Sequence, residues 1–566
     1  MLSILVGFLS GLGAVLLKYF TVIVQAWLES DWIKDYRYSL YFILPIIGVW
    51  FVYLVRKYII KKPMGHGIST TLFSISKRSG IIERYKMYAS LITAPLTVGF
   101  GGSAGLQGPA VSTGAALGSN VAQLFHMNTK TRMLLIGCAT AGAMSSMFKA
   151  PVAAIIFAIE IFSLDLVFTS LVPLLFASVA AVITSYFFRD TDVLFNFQLL
   201  DEWRVKHIAF YLLLAVATGI ASVYFSKMYF FITRFFSRFK NAYAKIGIAA
   251  VAIGLMLYFI PPLYGEGYGL ITNLLNGDTA EAIKGVSFNV DMQNVWMVVG
   301  ILMLIVVFKA IAMTTTFAAG GIGGVFIPTL FMGSALGNAV AKIINHFGFE
   351  VSESNFTLIG MTGLMAGVLH APLTAIFLIA EITGGYDLLV PLMLVAAISY
   401  GFTKYFVPNS IYTAELAKRG ELITNDKDKN ALMMMRIDQV IETNFVVLNS
   451  EMTLGEMLKK GVAKSSRNLF PVLDEEDQFL GIVLLDDVRS VMFDQTLYNS
   501  TTVSLFMKSA PDIIFYDDAM EKIMKKFKQT GAWNLPVIKD GKYLGFISKS
   551  KLLTAYRNKL IQVTTT

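Results

Sequence analysis

The sequence predicts a mainly α, polytopic membrane protein of two internally repeated helical halves with broken half-helices, followed by a soluble α/β pair. Three observations carry that expectation. The 566 residues are 55% hydrophobic and only 15% charged, with a mean hydropathy of +0.63. A purely soluble globular chain is thereby excluded, and most of the protein must lie in lipid. A glycine-rich, uncharged segment recurs at corresponding places in the two halves. Beyond about Gly420, long apolar runs give way to short apolar strands alternating with charged amphipathic helices.

Apolar runs long enough to cross the hydrocarbon core are Leu2–Trp27, Leu40–Val55, Leu164–Phe188, His207–Phe231, Ile246–Tyr264, Val295–Met313 and Leu388–Phe406. The first lacks a basic start and a small-residue cleavage site before Glu29, so it reads as a retained membrane helix rather than a leader. Shorter pieces punctuated by Gly and Pro lie between the runs. These are expected as tilted or half-spanning helices, because irregular backbone at membrane depth survives only when buried in protein or lining a polar path.

The segment Val98–Gln123 is crowded with Gly, Ala and Ser and carries no charged side chain. A glycine-rich turn entering a helix leaves amides without intrahelical partners, and these favour a negative charge. Small residues also let membrane helices approach closely, so a packing face is the other reading. Gly108–Ala122 aligns without a gap on Ile327–Ala341, and Lys149–Ile161 on His370–Ile382, with about half the positions matching in each case. Both members of the second pair open on Ala-Pro and end near a glutamate, Glu160 and Glu381. Broken apolar segments at matching places in two halves point to a transport site between repeats.

A net charge of +9 arises from Lys/Arg clusters such as Arg56-Lys57, Lys61-Lys62 and Lys77-Arg78, which flank apolar runs. That pattern fits cytoplasmic flanks of membrane helices rather than nucleic-acid binding. Cys138, the single cysteine, excludes an intrachain disulfide. No metal-ligand cluster, phosphate-binding loop or nucleophile and base arrangement is visible, so no metal, no required cofactor and no enzymatic activity are expected. Residues 1–422 are assigned to the membrane, 423–432 to a linker, and 433–566 to a doubled module of about 433–495 and 503–560. Within it, Asn468–Val488 resembles Asn534–Leu552, each reading Pro, strand, polar turn, strand with Gly, helix.

Four motifs then resemble one family. GHGIS at 65–69, GLQGP at 105–109, GVFIP at 324–328 and SIYTAELAKRG at 410–420 stand in the order and spacing of the CLC chloride channels and proton-coupled chloride exchangers, with a CBS pair behind. The resemblance covers nearly the whole chain, the amino-terminal helix of many relatives being short or missing. It implies two inverted repeats, a homodimer with one pore per chain, cytoplasmic CBS domains, and a chloride ion dehydrated by backbone amides and hydroxyls. Carried over position by position, the anion donors are the amides of Leu106, Gln107, Gly108, Val325 and Phe326, the hydroxyl of Tyr412, and His66 at the pore-serine position.

Three departures from the family pattern bear on mechanism. Gln107 stands at the gating-glutamate position, and an amide can neither ionise nor carry a proton. Ile161 stands where exchangers place an inner proton-accepting glutamate, one residue beyond Glu160. Glu160 and Glu381 have a structural reading, holding helix ends, beside a functional one. His66 and Ser69 replace the serine and proline of their motif, which leaves chloride, nitrate, bromide and fluoride open. In the CBS pair the family's adenine-nucleotide signature is half present in each repeat. Gly481 and Asp487 stand with Leu484 between them, and Gly545 and Ser548 are followed by Lys551. The expected function is passive anion transport, as a channel or uncoupled uniporter; proton-coupled exchange and a nucleotide-responsive membrane sensor are the alternatives.

Overall fold

Helices form wherever the apolar runs are long, because at membrane depth each backbone N–H and C=O must be paired within its own segment. The computed structural model describes residues 1–28, 43–62, 64–65, 67–162, 168–188, 203–288, 290–418, 428, 431–432 and 435–564. These form two units, Met1–Leu422 and Ile423–Thr566. His66, the expected linker apart from Asp428, Ala431 and Leu432, and the starts of the runs expected from Leu40 and Leu164 lie outside the described residues.

In the first unit the helices are α1 (Leu2–Leu28), α2 (Leu44–Leu54), α3 (Gly67–Lys77), α4 (Lys86–Gly99), α5 (Gln107–Leu124), α6 (Thr129–Phe148), α7 (Pro151–Phe162) and α8 (Phe168–Phe188). They continue as α9 (Ile208–Ser237), α10 (Ala242–Phe259), α11 (Tyr268–Leu275), a short α12 (Thr279–Ala282), α13 (Val295–Ala318), α14 (Phe326–His346), α15 (Glu353–Leu369), α16 (Pro372–Ile382), α17 (Leu389–Phe406) and α18 (Ala414–Lys418). Seven among the described residues are long and apolar enough to cross a membrane. Two expectations shift. Among the described residues Leu40–Val55 yields the 11-residue α2, which widens into a π-helical turn at Val55–Ile60. The Gly-punctuated 326–346 stretch is one continuous 21-residue helix, since its glycines serve as a packing surface rather than as breaks.

That surface is the same in both halves. A Cβ built at Gly118 would lie 2.4 Å from the Leu135 carbonyl oxygen, and one at Gly337 would lie 2.0 Å from that of Phe356. Hence α5 presses backbone to backbone on α6, and α14 does so on α15, as small residues permit in membranes. Cys138 is buried within α6.

The two halves lock together through Glu160 and Glu381. Glu160, near the end of α7, accepts from the amides of Leu373 at 3.2 Å and Thr374 at 2.9 Å and from the Thr374 hydroxyl at 2.6 Å, at the start of α16. Glu381, near the end of α16, accepts from Val152 at 3.0 Å and Ala153 at 2.7 Å, at the start of α7. Each carboxylate satisfies orphan donors and opposes the positive end of the other helix. Equivalent residues meet equivalent residues, so a two-fold axis relates the repeats, and the structural reading of both glutamates holds.

Among the described residues the second unit contains two sheets, of order β1-β7-β6-β5 and β2-β3-β4, in which β2 is Leu448–Asn449 and β5 is Ile514–Phe515. Strands β3 (Leu469–Leu473) and β4 (Phe479–Leu484), like β6 (Asn534–Lys539) and β7 (Lys542–Ser548), are antiparallel pairs. The last pair leads into the helix Lys549–Thr564. Strand β1 (Ile441–Glu442), in the first repeat, adds antiparallel to β7 of the second. Each repeat carries its own apolar core, around Phe470 and Val483 in the first and around Val537 and Phe527 in the second.

Gly337→Val drives a side chain into the Phe356 carbonyl and is expected to destabilise the protein by about 3 kcal/mol. Gly300→Ala, with nothing within 4 Å of the new Cβ, should be neutral; thermal melts of the purified proteins in detergent compare the two. Glu381→Ala should cost about 1–2 kcal/mol through the lost cap of α7, read in the same melts.

Candidate anion site

The two glycine-rich turns meet at the middle of the first unit. Gly105 N–H donates to the Gly324 carbonyl at 2.9 Å, and Gly324 N–H returns the bond to Gly105 at 2.6 Å, a minimal antiparallel bridge between equivalent residues. Helix α5 starts two residues past one side of the bridge and α14 two residues past the other. Their first intrahelical bonds run from Ala110 to Leu106 and from Thr329 to Val325. Pro109 and Pro328 each occupy the third helical position, where no N–H is needed. The amides of Gln107, Gly108, Val325 and Phe326 find no acceptor among the described residues. Two positive helix ends with bare donors therefore face one region.

A third helix start joins them. A Cβ at Gly67, the first residue of α3, would lie 2.8 Å from the Gly108 carbonyl oxygen, and one at Gly108 would lie 2.9 Å from the Gly324 Cα. The GHGIS, GLQGP and GVFIP motifs thus converge on contacts that only glycine admits. The fully buried Phe326 ring packs against Phe157 and Phe148, with centroids 5.3 and 6.1 Å away. The Thr97 hydroxyl on α4 accepts from the Ile322 amide at 3.0 Å and fixes the turn entering α14.

Tyr412 is buried, and its phenolic oxygen has no hydrogen-bond partner among the described residues. A buried hydroxyl in that state costs about 1–3 kcal/mol unless a ligand or water pairs with it. No hydrogen bond or ring contact among the described residues joins Tyr412 to 106–108 or 325–326. His66, immediately before Gly67, falls outside the described residues.

Two residues behave differently from expectation. Gln107 is 1% exposed, with its Nε2 donating to the Tyr268 hydroxyl at 3.1 Å. The Leu106 amide, expected as an anion donor, already donates to Oε1 of Glu266 at 3.0 Å. Sequence reasoning passed over Glu266. The available signal was a carboxylate between two glycines, Gly265 and Gly267, following an apolar run; a carboxylate at membrane depth is a functional candidate by default.

Beside the entrance to α14 lies a cavity of about 540 Å³ lined by Arg56, Lys57, Lys61, Lys62, Lys240 and Lys245 together with residues 317–322. Several of the cations read from sequence as flank charges therefore line one concavity, where like charges raise the local concentration of anions. In the second unit the nucleotide-signature positions are occupied by protein contacts. Asp487 pairs with Lys508 at 2.6 Å, and the Ser548 hydroxyl donates to the Glu442 carboxylate. Gly481 and Gly545 sit where a Cβ would fall 2.6 Å from the Lys508 carbonyl oxygen and 2.5 Å from that of Glu442.

Comparison with known proteins gives one consistent picture. Residues 47–404 match the family model described as voltage gated chloride channel, and residues 437–494 and 503–558 each match the CBS domain model. The chain is 26% identical over 433 residues to the H(+)/Cl(-) exchange transporter ClcA of Vibrio cholerae, covering 73% of this chain and 87% of the relative. It is 25% identical over 566 residues to the chloride channel protein CLC-f of Arabidopsis thaliana, covering 87% of this chain and 70% of that one. In fold it is similar to a slow cyanobacterial Cl-/H+ antiporter at TM-score 0.63 and 20% identity, over 74% of this chain and 97% of that one. A eukaryotic CLC transporter matches over 97% of this chain and 98% of its own length, at TM-score 0.59 and 17% identity.

Proposed function

The chain belongs to the voltage gated chloride channel family, and from that premise we propose that it passes chloride down its gradient without fixed coupling to protons. The proposal takes residues 1–422 as the transport domain, 423–432 as the linker and 433–566 as a cytoplasmic CBS pair, in a homodimer with one pathway per chain. A single observation carries it: four amides without acceptors, at Gln107, Gly108, Val325 and Phe326, stand at two helix starts joined by the Gly105–Gly324 bridge. Chloride is large and monovalent, so several neutral donors replace its water while still letting it leave. The Tyr412 hydroxyl is assigned as a further donor, and so is His66.

Absence of coupling follows from Gln107 and Ile161, neither of which titrates. Proton-coupled exchange is the second reading, favoured by the Glu266 carboxylate on the Leu106 amide and by the similarity to relatives such as the Vibrio cholerae exchanger. The CBS pair is assigned a dimerising, regulatory role. An adenine nucleotide using Asp487 or Ser548 would first have to displace Lys508 or Glu442.

The test is chloride efflux from liposomes containing the purified full-length protein, with and without a proton gradient, and with bromide, nitrate and fluoride in place of chloride. Efflux without uphill proton movement is expected; sustained proton uptake driven by chloride alone would replace passive transport with exchange. Tyr412→Phe should weaken chloride binding about fivefold by calorimetry and leave the melting temperature unchanged, since the hydroxyl bonds to none of the described residues. Gln107→Glu places an ionisable group beside the bare amides, so flux should fall more steeply than in wild type as pH rises from about 5 to about 8.

A further inference from the structure

We propose that Glu266 is a tethered competitor for the transported anion: its carboxylate closes the pathway at the Leu106 amide, and protonation of that carboxylate opens it. The proposal rests on the reading of the α5 start as an anion site. Glu266 lies in the short loop between the Pro261–Leu263 turn and α11, a different part of the chain from either helix whose amides are exposed.

The loop is held firmly while the side chain spans the gap. Gly265 N–H donates to the Gly101 carbonyl at 2.9 Å. Lys309 of α13, fully buried, donates to the carbonyls of Gly265 at 2.9 Å and Leu263 at 3.3 Å, with its ammonium 4.4 Å from the centroid of the Phe331 ring. Gly101 abuts the Tyr264 ring, and Gly267 abuts that of Phe331, too closely for a Cβ at either. From this platform the carboxylate reaches Leu106 N at 3.0 Å.

The groups around Glu266 come from each neighbouring element. Lys309 on α13 is the basic one, bonded to the carbonyls of the loop that carries Glu266. Tyr264 and Tyr268 are the titratable neighbours on the loop and on α11, and Gln107 on α5 is neutral and bonded to Tyr268.

A carboxylate and a halide are both monovalent anions seeking N–H donors, so they exclude one another from one amide. A proton taken from solution onto the Glu266 oxygen neutralises the competitor and weakens its charge-assisted bond. Nothing else is consumed. The ionisable function absent at Gln107 is thus supplied to the same helix start from a separate loop.

Chloride efflux from liposomes is measured from about pH 8 down to about pH 4.5 for wild type, Glu266→Gln and Glu266→Ala, with melting temperatures checked alongside. Wild-type flux is expected to rise about tenfold or more on acidification, whereas Glu266→Gln is fast throughout. Uphill proton movement driven by chloride in wild type and lost in Glu266→Gln would equally place the proton on this carboxylate. Should the variants fail to fold, calorimetry on wild type decides, since chloride must bind more tightly at the acidic end. A pH-independent wild type, or the same pH profile in Glu266→Gln, overturns the plug while leaving the anion site standing. Absence of anion flux and binding in every protein overturns the site and the plug together.

Discussion

Two backbone hydrogen bonds between Gly105 and Gly324 hold the whole arrangement in place. At membrane depth a broken helix is affordable only if its exposed amides face protein or a polar path. The bridge meets that condition by seating two breaks against each other, so that α5 and α14 both begin beside it. Glycine stands at Gly67, Gly108 and Gly324 because the backbones there are already in contact: Gly67 on the Gly108 carbonyl, and Gly108 on Gly324. The bare amides are a consequence of this symmetric junction, and an anion is what such amides attract.

Carboxylates in the first unit do different work according to where they sit. Glu160 and Glu381 exchange caps between α7 and α16, two equivalent contacts that staple the repeats at their helix starts. Glu266 instead sits on an amide at the start of α5, on a loop pinned by the buried Lys309. The first two have equivalents in the opposite repeat. Glu266 lies outside both repeated segments, so the repeat draws attention to Glu160 and Glu381 and not to it.

The CBS pair shows the same economy of close approach. Gly481 and Gly545 stand where neighbouring carbonyls leave no room for a side chain, and the adjacent Asp487 and Ser548 bond to Lys508 and Glu442. Half of a ligand signature in each repeat is therefore accounted for by packing and pairing within the protein.

Much was legible from residues alone. Hydropathy and length decided that the chain is membranous, since about 20 apolar residues satisfy a bilayer wherever they occur. The ungapped repeat placed the two broken segments, and the identities of Gln107 and Ile161 excluded ionisation at those positions whatever the fold. The packing reading fits Gly118 and Gly337, whereas the turns at Gly105 and Gly324 lead into the amides of Gln107, Gly108, Val325 and Phe326, which have no acceptor among the described residues. The tertiary structure alone decided the two-fold pairing of equivalent residues, because similarity carries no direction. It alone placed Glu266 on the Leu106 amide, 160 residues away in the chain. A hydrogen bond depends on positions in space, and a loop with no repeat partner and no periodicity offers the sequence no means of stating where its side chain will land.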